Sequence, residues 1–148
     1  YLEAFMPAVQ DALINLNLDE SYEMAQVFES LRGPLKSLND VRPNGTSRFM
    51  LLIGRGYTDV QGHLRWFITM RYQDTLKLFT DSVLKANPRL TQETLFWRLH
   101  FTLGTCVFTM ASSKALAEIA ENDFGQKVDP KTVVDQLIPY LAAGVAVE

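Results

Sequence analysis

Apolar residues recur at three- and four-residue spacing along nearly all of the chain, and they are densest from Leu95 to Ala111, LFWRLHFTLGTCVFTMA. This run contains no proline and is too long for an ordinary strand. At about 100° per residue it separates into two apolar stripes. Trp97, Phe101, Gly104, Phe108, Ala111 and Ala115 fall on one side; Leu95, Leu99, Leu103, Cys106 and Met110 fall nearly opposite. A thin polar seam of Arg98, Thr105, Thr109 and Ser112 runs between them. A helix apolar nearly all round must be buried nearly all round. The chain's own core can cover one stripe, and a second copy of the chain is the simplest cover for the other. The competing arrangement is a monomer whose last helix covers that stripe. A membrane span requires roughly 20 apolar residues, and Arg98 with His100 interrupts a shorter run, so no membrane is expected.

The same spacing predicts the other elements. Leu2, Phe5, Met6, Val9 and Leu13 mark a first helix over 1–16, with Pro7 expected to kink or break it. Asp19 or Ser21 can cap a second, with Met24, Val27, Phe28, Leu31 and Leu35 on its apolar side, and Gly33-Pro34 should bend or end it. SLNDVRPNGTS (37–47) reads as the clear loop, from its turn residues Pro43-Asn44-Gly45. A short helix carries Phe49, Leu52 and Ile53 before Gly54 and Gly56 loosen it. One long helix is predicted over 60–86, and Asn87-Pro88 stops it. Thr91 and Glu93 open the central helix, extended to about Glu121. Asp129-Pro130 opens the last, with Val134, Leu137, Ile138, Leu141 and Val145 on its apolar face beside Ala142, Ala143 and Gly144. No segment alternates as a half-buried strand does. The fold class is all-α, with about five or six helices.

Composition narrows the function classes. The chain has 148 residues, is 47% hydrophobic and 21% charged, and carries a net charge of −3. That is one globular domain without the basic footprint of a nucleic-acid binder. A lone cysteine, Cys106, forms no internal disulfide and is compatible with a reducing compartment, here the cytoplasm. Two distant histidines offer no metal-ligand spacing. No Ser-His-Asp arrangement, phosphate loop or carboxylate pair is suggested, so neither catalysis nor a cofactor is expected. The absence of an initiator Met, and an opening inside a helix, suggest a fragment of a longer protein.

Two constellations remain. The first is the dimer face: the stripe from Trp97 to Ala115 together with Val134, Leu137, Leu141 and Val145, two helices per subunit forming an isologous four-helix contact. The second is an apolar pocket among the middle helices. Its candidate lining is Met24, Phe28, Phe49 and Ile53, then Phe67 and Met70, then Phe96 and Leu103. Arg71 and Thr75 fall in mid-stripe of the long helix, where an unmet charge is expensive. Arg71 is either an anion-binding group at the pocket floor or half of an internal salt bridge with Asp74, Glu23 or Glu29. His100, at the border of the two stripes, is either a hydrogen-bonded core residue or a ligand contact.

The order of these segments resembles the C-terminal, effector-binding and dimerisation domain of TetR/AcrR-type transcriptional regulators. FWRLHFTLGTCVFTMA (Phe96–Ala111), preceded by NPRLTQETL (Asn87–Leu95) and followed by the terminal helix, carries the likeness. LLIGRGYTD before the long helix and RYQDTLKLF within it add to the match. The wording of the central helix looks closest to the fatty-acid-responsive repressors. The resemblance implies a homodimer and a small hydrophobic effector, a fatty acid or acyl derivative among the candidates. It also implies allosteric control of an N-terminal helix-turn-helix that this chain lacks, so that DNA is bound only through that missing domain. The alternative from another class is a stand-alone helical protein-protein interaction module.

Overall fold

The computed structural model describes residues 1–58 and 62–148. Among them are nine α-helices and one 3-10 turn, and no strand. The helices are α1 (Leu2–Leu16), α2 (Met24–Glu29), α3 (Arg32–Val41), α4 (Gly45–Thr58), α5 (His63–Arg71), α6 (Gln73–Ala86), α7 (Gln92–Ala111), α8 (Ser113–Phe124) and α9 (Val133–Ala146). The all-α expectation holds.

Several boundaries follow the sequence chemistry. The Thr91 hydroxyl accepts from the Thr94 N–H at 3.1 Å and caps α7. The Asp129 carboxylate accepts from the Lys131 N–H at 3.0 Å, and Pro130 starts the 3-10 turn that leads into α9. Both ends satisfy N–H groups that no helical carbonyl can reach.

Other boundaries differ. The predicted helix over 60–86 is two helices divided at Tyr72, whose φ of −115° and ψ of 28° leave the helical region; Val60 lies outside the described residues. The central helix breaks at Ser112 rather than running to Glu121. A serine pair, Ser112-Ser113, is a common kink site, and the Ser47 hydroxyl donates at 3.3 Å to the Ala111 carbonyl at the break. Glu23, not Asp19 or Ser21, caps α2, through a reciprocal box in which its N–H donates to Gln26 Oε1 at 2.9 Å. The loop over 37–47 shrinks to Arg42–Asn44, with Asn44 at a φ of 57° making the turn. The stretch before it is α3, which starts just ahead of Gly33-Pro34 and tolerates proline in its first turn. Gly54 and Gly56 do not end α4, which runs on to Thr58. Pro7 sits exposed inside an unbroken α1.

The core lies where α9 packs against α2, α3 and α7, and α6 against α1 and α2. Phe28, Leu13, Leu38, Ile138, Val27, Val83 and Val145 are its most enclosed apolar side chains. Buried polar groups are paired. Asn17 donates to the Ser82 hydroxyl at 2.9 Å, and Thr75 donates to Gln10 at 2.8 Å. Two cations of α3, Arg32 and Lys36, meet Asp135 on α9. The Arg98 guanidinium donates to the Val145 carbonyl at 2.9 Å and also to that of Val147, fastening α7 to the end of α9.

Candidate functional site

α4 and α7 lie side by side, and an open groove of about 440 Å³ runs between them. Leu51, Gly54, Arg55 and Thr58 of α4 line one wall, and His100, Leu103, Gly104 and Val107 of α7 the other, with Ile53 and Tyr57 beside them. Both quartets follow the i, i+3, i+4, i+7 rule that puts residues on one helix face. Seven residues at 1.5 Å each give a trough about 10 Å long. Its floor is tight, since a β-carbon on Gly54 would stand 2.7 Å from Val107 Cγ1.

The lining is mostly apolar with a few polar groups, the usual make-up of a small-molecule site. His100 has a defined tautomer. Its Nδ1 is 2.7 Å from the Phe96 carbonyl oxygen, and a carbonyl only accepts, so Nδ1 carries the proton and donates. The free nitrogen of the ring is Nε2. Phe96 packs on the imidazole at 4.2 Å between centroids, and the Tyr57 ring stands at 6.4 Å. Arg55 brings a guanidinium, always charged, to the α4 wall.

Of the expected pocket residues, Ile53, His100 and Leu103 line this groove, with Phe96 at its His100 end. Met24, Phe28 and Phe49 do not. They are buried in close-packed core, where Phe5 and Tyr1 cover Phe49 at 5.3 and 6.0 Å and Phe79 meets Phe28 edge-on. Phe67 and Met70 are exposed on α5. Arg71 is no pocket floor: its Nη2 pairs with Glu3 Oε1 at 2.7 Å on the surface, and the Tyr72 hydroxyl donates to the same oxygen at 2.8 Å. The Tyr72 hydroxyl first, and Arg71 next, hold the Glu3 carboxyl below the usual range. The pair is neither internal nor with Asp74, Glu23 or Glu29: Arg71 meets Glu3 at the surface. The break at Tyr72 ends α5 at Arg71, so the part of the projected stripe beyond it, Thr75, Leu78 and Phe79, belongs to another helix. Arg55 was missed, although its signal was similar: a charge inside the apolar run LLIGRGY.

The expected dimer face divides. Trp97, Phe101, Gly104 and Phe108 face outward on α7, between the wall that meets α4 and the side that Arg98 fastens to α9. The three aromatics keep 52%, 65% and 64% of their surface exposed. Ala111 is half-buried at the end of α7, and the break at Ser112 puts Ala115 on α8. Val134, Leu137, Leu141 and Val145 are buried in the chain's own core. The outward side of α9 holds Tyr140, Ala143 and Gly144, with Val147 just past its end. At both Gly104 and Gly144 an added β-carbon would meet only open space.

Cys106 is half-buried, and desolvation pushes its thiol up to about 12, which keeps it protonated and a poor nucleophile. Among the described residues no group of three or more His, Cys, Asp or Glu stands together as a metal site. No described helix is long and apolar enough to cross a membrane.

The groove and the outward aromatic face of α7 are the two apolar features that the chain's own core leaves open. The family described as "Tetracyclin repressor-like, C-terminal domain" matches residues 29–144, most of the chain. The chain therefore belongs to that family. No curated protein matches it.

Proposed function

We propose that the chain is the effector-sensing, dimer-forming domain of a cytoplasmic transcriptional repressor. A small lipophilic effector, a fatty acid or related acyl acid, occupies the groove between α4 and α7. Binding shifts the equilibrium between two dimer arrangements and thereby controls DNA binding by an N-terminal helix-turn-helix domain. Only the difference in effector affinity between the two arrangements does this work.

The groove is the observation that supports this reading most directly. It accommodates most of an extended acyl chain along about 10 Å, and the Arg55 guanidinium suits a carboxylate head group, while the unprotonated Nε2 of His100 can accept from a hydroxyl donor. The exposed sides of α7 and α9 supply the dimer contact. Fully buried aromatics remove about 150–250 Å² each. At the exposures of Trp97, Phe101, Phe108 and Tyr140, a symmetric pair removes on the order of 1,000 Å² from these side chains alone. With Ala143, Gly144 and Val147 added, the contact enters the range of about 1,200–2,000 Å² for a stable interface.

Calorimetric titration of dodecanoate tests the effector site, with Leu103→Trp as the groove-filling control. Saturable binding that Leu103→Trp abolishes is the expected result. Binding that survives this substitution unchanged places the ligand elsewhere.

A further inference from the structure

We propose that a second, smaller cavity of the chain binds a free oxyanion of the size of phosphate. It lies where α3, the start of α4, the start of α8 and the turn ahead of α9 come together, and it shares no residue with the groove between α4 and α7. Lys36, Asn39, Asn44, Ser47, Ser113 and Lys131 line it. The room inside is about 30 Å³, two to three times the ~10–15 Å³ that one water needs. That suits an ion of a few atoms and excludes an acyl chain. Ser113 points to an occupant. Buried polar side chains elsewhere, Thr46, Thr75 and Ser82, hydrogen-bond within the chain. The Ser113 hydroxyl is the exception: the residue is only 7% exposed, yet the hydroxyl has no partner among the described residues. No described side-chain polar atom that is sealed from solvent is unpaired. The Ser113 oxygen therefore reaches open space, and the cavity is the space it lines.

The other free groups around this space are donors as well. Asn39 turns its side-chain oxygen to the Thr46 N–H at 3.4 Å, which leaves both hydrogens of its Nδ2 unused. The Ser47 N–H lies in the first turn of α4, where no carbonyl of that helix reaches it. The Lys131 ammonium forms no ion pair among the described residues. Charge alone does not make the site, because Asp135 already holds Lys36 at 2.9 Å and the Asp129 carboxylate accepts from the Lys131 N–H. The selective feature is the surplus of donors over acceptors around one small space, which suits an ion that chiefly accepts. The frame is also fixed before any ion arrives. A β-carbon on Gly45 would run into the Leu38 carbonyl, so the start of α4 is pressed onto α3. An ion held here joins α8 and the turn ahead of α9 to α3 and α4, beside the break at Ser112.

Calorimetric titration with sodium phosphate, at an ionic strength held constant with sodium chloride, tests the site. One phosphate per chain, bound saturably, is the expected result. Ser113→Ala removes the unpartnered hydroxyl and puts in a good helix former. It should weaken phosphate binding about ten-fold or more, the scale of a lost hydrogen bond to a charged group. In phosphate-free buffer the same variant should melt with the parent chain, because its hydroxyl has no partner to lose; a lower melting temperature there would overturn the assignment by giving Ser113 a structural role. Affinity unchanged in Ser113→Ala means an adventitious ion only and overturns the site. Absence of saturable binding also overturns it and leaves water in the cavity. If Ser113→Ala fails to fold, Lys131→Met, on an exposed side chain, takes its place, with the same loss expected and unchanged affinity overturning the proposal. Glycerol phosphate separates a free ion from the head of an ester. Weaker binding than phosphate supports the free ion, and equal or tighter binding overturns it.

Discussion

A β-carbon on Gly54 of α4 would lie 2.7 Å from Cγ1 of Val107 on α7. These two residues set the floor of the groove. Val107 is β-branched, and inside a helix its χ1 has one strongly preferred setting, so it cannot simply turn away. Gly54→Ala is expected to destabilise the chain by about 1 kcal/mol, overpacking of about 1–3 kcal/mol being partly offset by the helix preference of alanine over glycine. In a Val107→Ala background the clash is gone, and the same substitution should be neutral or stabilising by about 0.5–1 kcal/mol. Urea unfolding of the four chains checks this reversal of sign. The same sign in both backgrounds would remove the close approach.

Phe108 is the last aromatic of the outward stripe and is nearly two-thirds exposed in the single chain. Phe108→Arg should leave the fold intact and place two charges in a desolvated symmetric contact, where mismatched core groups cost several kcal/mol. Sedimentation is expected to show monomer. An unchanged dimer would move the interface off α7.

Helix class and several caps were legible in the sequence because they rest on local rules. Thr91, Asp129 and Pro130 needed only neighbours within three positions. The candidate site was harder, for two physical reasons. Breaks at Tyr72 and Ser112 rotate everything beyond them, so stripes projected through an unbroken helix wrongly joined Arg71 to Thr75 and Phe79, and Ala115 to the outward face of α7. The second reason is that α9 is apolar on both sides. Its larger residues, Val134, Leu137, Leu141 and Val145, took the core, and the milder side with Tyr140, Ala143 and Gly144 faces out. A tyrosine beside small residues was the available signal for the exposed side. His100 and Leu103 were legible because α7 runs regularly through both. Arg55 became meaningful only when α4 proved long enough to form a wall.

Arg71 pairs with Glu3 at the surface, far in sequence but outside the groove. Arg71→Met is expected to leave dodecanoate affinity within about two-fold and to lower the melting temperature slightly, since exposed pairs contribute little. A ten-fold loss of affinity in calorimetry would return Arg71 to the binding site.

Asp135 joins α9 to α3. The hydrogen bond from Lys36, and next that from Arg32, hold its carboxyl below the ordinary range. A carboxyl depressed in the folded state adds stability above its unfolded pKa, about 3.9, and loses it as pH falls through the folded value. The side chains are partly exposed, so screening keeps the effect below about 1 kcal/mol. Asp135→Asn should therefore melt lower than the parent chain near pH 7, and the gap should close below pH 4. A gap that is constant from pH 7 to pH 3 would show that packing, not charge, makes the difference.

The two sides of α9 give the sharpest contrast. Leu141 is 3% exposed and packs in the core, whereas its neighbour Tyr140 is 69% exposed. Leu141→Ala deletes buried methyl groups and is expected to cost about 2–5 kcal/mol of folding stability, through lost burial and the cavity left behind. Tyr140→Ala removes nothing from the core, so the stability of the isolated protomer should change by less than about 0.5 kcal/mol. Its effect belongs to assembly: an aromatic anchor at an interface typically costs more than about 1 kcal/mol when truncated, which is at least a five-fold weaker dimer. Unfolding in a Phe108→Arg background isolates the protomer term, and sedimentation of the dimeric chains isolates the assembly term. Loss of protomer stability from Tyr140→Ala, with dimer affinity unchanged, would mean that the outward side of α9 is not part of the contact.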